Sequence, residues 1–101
     1  MRFRNPLMSR RQIFIDFNVP EDPRRVDEQG LISRILDFRE DLYRLLLDGD
    51  AVVENLDRVD RTRPRVWVTL TSNRHTGSVL IIIEKQLARH NLAQIASISK
   101  S

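Results

Sequence analysis

Apolar and polar residues alternate strictly between Arg11 and Val19. Ile13, Ile15, Phe17 and Val19 fall on one side of an extended chain, and Gln12, Phe14, Asp16 and Asn18 on the other. That period of two predicts a first strand over residues 11–19, with one anomaly: a phenylalanine sits among three polar residues. "PEDPRR", residues 20–25, ends the strand, because proline cannot donate to a ladder. Asp22-Pro23 suits a helix opening. Gly30 costs about 1 kcal/mol relative to alanine there, which predicts a first turn separate from the main helix. From Gln29 to Asp48 the period is helical. Leu31, Ile35, Phe38, Leu42 and Leu45 recur at steps of four and three, Leu46 widens the stripe, and Gly49 suits the left-handed stop. Arg34, Asp37, Glu40, Asp41 and Arg44 cover the other side and read as a solvated face with pairing four residues apart.

"AVVENLDRVD", residues 51–60, predicts an edge strand or one carrying a bulge, since its alternation is imperfect. "RTRP" predicts a turn. "RVWVTLT", residues 65–71, predicts a strand with Val66, Val68 and Leu70 on one face and Arg65, Trp67, Thr69 and Thr71 on the other. The last thirty residues carry two patterns. In the first, Thr76 caps a helix over 77–90 with Val79, Leu80, Ile83 and Leu87 on its apolar face. Asn91 then takes the left-handed position after the helix, Leu92 packs back on Leu87, and "AQIASIS" is a final strand. In the second, "NRHTG" is a hairpin loop, "SVLIII" over 78–83 is a strand, and 84–99 is a helix burying Leu87, Ala88, Leu92, Ile95 and Ile98. Three consecutive isoleucines favour the second on propensity; the capping chemistry favours the first.

The first pattern gives β-α-β-β-α-β and resembles ferredoxin-like folds. That resemblance implies an α+β sandwich: a four-stranded antiparallel sheet in the order 4-1-3-2 with two helices on one face. The alternative, β-α-β-β-β-α, contains an element order similar to that of double-stranded RNA-binding domains. Glu84, Lys85 and Gln86 stand where those domains carry a lysine-rich helix start. In the ferredoxin-like arrangement Ile13, Ile15, Phe17, Val66, Val68 and Leu70 face the helices. Phe14 and Trp67 then stand together on the open side, with Gln12, Asp16, Arg65 and Thr69 around them. An apolar patch on a polar face marks contact with something, and tryptophan, phenylalanine and arginine are enriched at interface centres. The expectation is a non-catalytic protein-interaction module, a homodimer or a binder of another protein, using Phe14, Trp67, Arg65, Asp16 and Thr69. A second expectation is single-stranded RNA. "IFIDFNV" resembles the first motif of RNA-recognition modules, whose aromatic stacks a base, although "RPRVWVTLT" lacks the glycines and extra aromatics of the second motif. Arg58, Arg61, Arg63 and Arg65 would then grip phosphates. A third possibility is that residues 1–10, an irregular basic arm with Phe3, Leu7 and Met8, cover the aromatics.

Composition narrows the remainder. A chain of 101 residues is one domain, here 11–101 behind the arm. Charge is segregated: residues 1–12 hold four arginines and no acid, 16–60 hold thirteen acids against six bases, and 61–101 hold seven bases against Glu84. That division admits either another copy of the chain or an external polyanion as partner. Fifteen of the seventeen bases are arginine, the side chain suited to planar carboxylate or phosphate contacts, though coding bias explains the preference more simply. No cysteine is present, which excludes disulfides and thiolate metal sites. The longest apolar run, "VLIII", is far short of the roughly 20 residues that cross a bilayer, and the basic start lacks the apolar stretch of a signal peptide; a cytoplasmic location is expected. His75 and His90 have no ligand partner spaced for a metal, and Gly30, Gly49 and Gly77 are too isolated for a phosphate cradle. The loop "VPEDPRR" lacks the glycines that ACT-type and acylphosphatase-like modules carry after their first strand, so Arg24 and Arg25 are at most an anion contact. No cofactor and no metal is expected.

Overall fold

The computed structural model describes residues 11–18, 28–47, 51–54, 57–60, 63–71 and 76–100. Among the described residues eight elements follow one another: β1 (Gln12–Phe17), α1 (Glu28–Leu46), β2 (Ala51–Val53), β3 (Asp57–Asp60), β4 (Arg63–Leu70), α2 (Thr76–Arg89), a 3-10 turn (Ala93–Ile95) and β5 (Ala96–Lys100). All strand pairs are antiparallel. The sheet runs β2-β4-β1-β5, with β3 also paired to β4. With β2 and β3 as two halves of one edge, this is the 4-1-3-2 order of the ferredoxin-like fold.

One apolar cluster holds the molecule together. From the sheet it takes Ile13, Ile15, Phe17, Val66, Val68 and Leu70, and from α1 it takes Leu31, Ile35, Phe38, Leu42 and Leu46. Val79, Ile83 and Leu87 of α2 join it, as do Ala51, Val53 and Leu92, so both helices cover the same face of the sheet. Phe17 meets Phe38 edge-on, with ring centroids 5.8 Å apart at 76°. Fully burying an aliphatic or aromatic side chain of this size stabilises by about 1.5–3 kcal/mol, so this cluster supplies the main driving force.

The isoleucine run is helical. Ile83 is fully buried, Ile82 is partly buried, and Ile81 is 56% exposed. A strand would have put Ile81 and Ile83 on one face. The helix wins because Val79, Ile83 and Leu87 recur every four residues and because its end is chemically specified. Asn91 adopts φ +60°. The Leu92 amide donates to the Leu87 carbonyl at 2.8 Å, and the Asn91 amide to the Ala88 carbonyl at 3.1 Å. These are the two bonds of a Schellman ending, and Leu92 is buried beside Leu87.

Four local expectations are corrected and one is met. Leu45 is 52% exposed and Leu46 takes the core position, because at 3.6 residues per turn Leu46 lies one full turn beyond Leu42. Gly30 lies inside α1, which is continuous from Glu28; Asp22-Pro23 and Gly49 lie outside the described residues. The irregular edge expected over 51–60 is present: its described stretches form β2 at the sheet edge and β3, which carries a register shift against β4 between Arg58 and Asp60. Arg63 and Pro64 belong to β4 and not to a turn. The β1–β4 ladder ends at the Asp16–Arg65 pair, one residue short of Pro64, so the missing N–H of proline falls past the end of that ladder. Residues 93–95 form a 3-10 turn, and only Ala96–Lys100 is strand. No helix among the described residues is long and apolar enough to cross a membrane.

Candidate functional site: the open face of the sheet

The register of β1 on β4 is fixed by burial. A slip of one residue would turn Ile13, Ile15 and Phe17 out to water. In the register adopted, Phe14 lies directly opposite Trp67, Asp16 opposite Arg65, and Gln12 opposite Thr69. The expected aromatic pair is therefore a cross-strand pair at the middle of the two central strands. Both rings are half-buried.

Two polar rows frame the rings. In the first, Arg65 Nε donates to Asp16 Oδ1 at 2.6 Å and Arg65 Nη2 to Asp16 Oδ2 at 3.1 Å. This bidentate, charge-assisted geometry is the strong form of the contact. The two side chains are 32% and 24% exposed. The same guanidinium carbon lies 4.7 Å from the Phe14 ring centroid, within cation–π range. In the second row Gln12 Nε2 donates to Thr69 Oγ1 at 3.3 Å, and the Thr69 hydroxyl donates to Glu54 Oε2 at 2.8 Å.

The outer strands complete the face. The Glu54 amide donates to the Trp67 carbonyl at 2.8 Å, which carries the β2 register one step further and sets Glu54 beside Trp67. Arg39 Nε on α1 donates to the Glu54 carbonyl at 3.2 Å and anchors that edge. On the other side β5 places Ser99 opposite Phe14 and Ser97 opposite Asp16. Val52, 48% exposed, extends the apolar area beside Thr69. The central row across the sheet is thus Glu54, Trp67, Phe14 and Ser99.

Of the arginines expected to grip phosphate, Arg65 is engaged with Asp16. Arg63 is exposed on β4 and Arg58 pairs opposite Pro64 in β3. Arg61 lies outside the described residues, as does the basic arm at 1–10.

A second polar cluster was not legible from local spacing. His90 Nε2 donates to Asp41 Oδ2 at 2.7 Å, with the side chains 15% and 34% exposed. The imidazole also meets Phe38 edge-on at 6.2 Å. Arg34 Nη1 donates to the Asn91 carbonyl at 3.3 Å. Asp41 and Arg34 therefore tie α1 to the end of α2 instead of forming a solvated face; Glu40 and Arg44 keep the expected spacing, at 3.6 Å and well exposed. His75 is outside the described residues. Two shallow depressions accompany these features: about 130 Å³ beside β2, lined by Tyr43, Leu47 and Val52 among others, and about 210 Å³ between the helices, lined by Asp41, Arg44, Leu45, Gln86 and Arg89. The Gln86 Oε1 atom is buried without a hydrogen-bond partner. Among the described residues no group of three or more His, Cys, Asp or Glu side chains is arranged to hold a metal ion.

No protein-family model matches the sequence, and no curated protein matches it. Among solved structures the chain is similar to a de novo designed protein, Ferredog-Diesel, with a TM-score of 0.54 and 16% identity over 100% of this chain and 89% of that one. At that identity the likeness concerns the fold alone.

Proposed function

We propose that the protein is a small non-catalytic interaction module that self-associates through the open face of its sheet, in the cytoplasm. The observation that carries this reading is the Phe14–Trp67 cross-strand pair, framed by a rim with both signs of charge: Asp16 and Glu54 against Arg63 and Arg65. Aromatic side chains in a desolvated centre supply most of the binding energy of protein interfaces, and a polar rim excludes water around them. A rim with both signs suits a surface that meets itself and opposes a polyanion.

Sedimentation velocity over a concentration series tests the reading. Trp67→Ala is expected to weaken association by at least about 2 kcal/mol, roughly 30-fold in Kd, while the urea midpoint of the monomer moves little. A wild-type chain that stays monomeric at high micromolar concentration overturns it. If that monomer also binds mixed single-stranded oligonucleotides with a steep salt dependence, and Trp67→Ala abolishes the binding, the face is an RNA surface instead.

A further inference from the structure

We infer that the second copy docks about a two-fold axis lying between the sheets and parallel to β1 and β4, so that each β1 lies over the β4 of its partner. The inference rests on the proposed self-association and specifies its geometry. A two-fold interface is self-complementary: residue i meets residue j, and j meets i. Two sheets packed face to face keep their strands within about 30° of each other, which leaves two in-plane directions for the axis, along the strands or across them.

The register decides between these two. With the axis along the strands, every row meets its own reverse. Trp67 lies over the partner's Phe14, and Arg65 over the partner's Asp16. Thr69 lies over the partner's Gln12, and Glu54 over the partner's Ser99. Ring meets ring, guanidinium meets carboxylate, hydroxyl meets amide, and carboxylate meets hydroxyl. With the axis across the strands, the central row meets itself unreversed. Glu54 then lies over the partner's Glu54, a like-charge contact without compensation, and Asp16 lies over the neutral Gln12.

Desolvation points the same way. Covering an ion pair is unfavourable unless its remaining hydrogen-bonding capacity is met. Each Asp16 oxygen accepts one bond from Arg65, and a carboxylate oxygen has two lone pairs. The along-strand axis brings a second guanidinium to those lone pairs and closes a ring of four alternating charges.

Cross-linking distinguishes the two axes. The chain has no cysteine, so Glu54→Cys and Ser99→Cys each introduce a single thiol at one end of the central row and leave the rings and the ion pair themselves unchanged. Packed sheets lie about 10 Å apart, a span for a short bis-maleimide and not for a disulfide. The along-strand axis predicts a covalent dimer only when the two variants are mixed. Each variant cross-linking with itself, or an uncross-linked mixture in which both variants still sediment as dimers, overturns the axis but leaves self-association standing. A monomeric wild type overturns both.

Discussion

Asn91 is where α2 stops, and it does so in a conformation that a side chain with a Cβ adopts at a cost of about 1–2 kcal/mol, less for asparagine. Asn91→Ala is expected to lower stability by about 1 kcal/mol, and Asn91→Gly to hold or raise it; urea unfolding of the two variants checks the sign. Gln86 makes the opposite case. Its buried Oε1 has no partner, and an unsatisfied buried polar group costs about 1–3 kcal/mol. Gln86→Met keeps the length and removes the penalty, so a gain of about 1 kcal/mol is expected in the same assay. Single residues with a conformational signature were legible in the sequence: Asn91 by its place after an apolar stripe, and Phe14 and Trp67 by their parity. The bidentate hold of Arg65 on Asp16 was not, because which polar residues face each other depends on a register that no local pattern prints. Gln86 was hidden for a related reason: its burial follows from how α1 lies across α2.

The two helices are joined by more than their apolar stripes. Asp41 and Arg34 of α1 reach His90 and the Asn91 carbonyl at the end of α2, where donors also satisfy the last carbonyls of a helix. His90→Ala and Asp41→Asn are each expected to lower stability by about 1 kcal/mol, between the value of a surface pair and that of a buried charged hydrogen bond. A double-mutant cycle in urea should return a coupling of similar size; independent effects would mean that the short contact contributes nothing. Elements with a strong period were legible: β1, α1 and β4 appear where alternation or helical spacing placed them, within two residues at each described end. The run 79–83 suited two element types, and tertiary burial together with the Schellman bonds decided it. The split of residues 51–60 into β2 and β3 was legible only as irregularity, since a register shift is a relation between two strands.

For the whole molecule, the decisive fact is that both crossovers lay their helices on the same side of the sheet. The order β2-β4-β1-β5 follows from the element order once two helices must share one apolar face, so topology was within reach of the sequence. The rim of the open face was not, because Glu54, Ser97 and Ser99 join it only through the outer strands. The proposed association therefore makes its sharpest prediction at this scale: mixed Glu54→Cys and Ser99→Cys chains cross-link where either alone does not. The β2–β3 edge has a role here too. β2 is three residues long and β3 is interrupted by its register shift, the devices by which natural sheets discourage further strands from adding at the side. A broad side that is its own complement stops growing when two copies of it have met. Raising the concentration should then fill pairs to saturation without ever lengthening them into filaments.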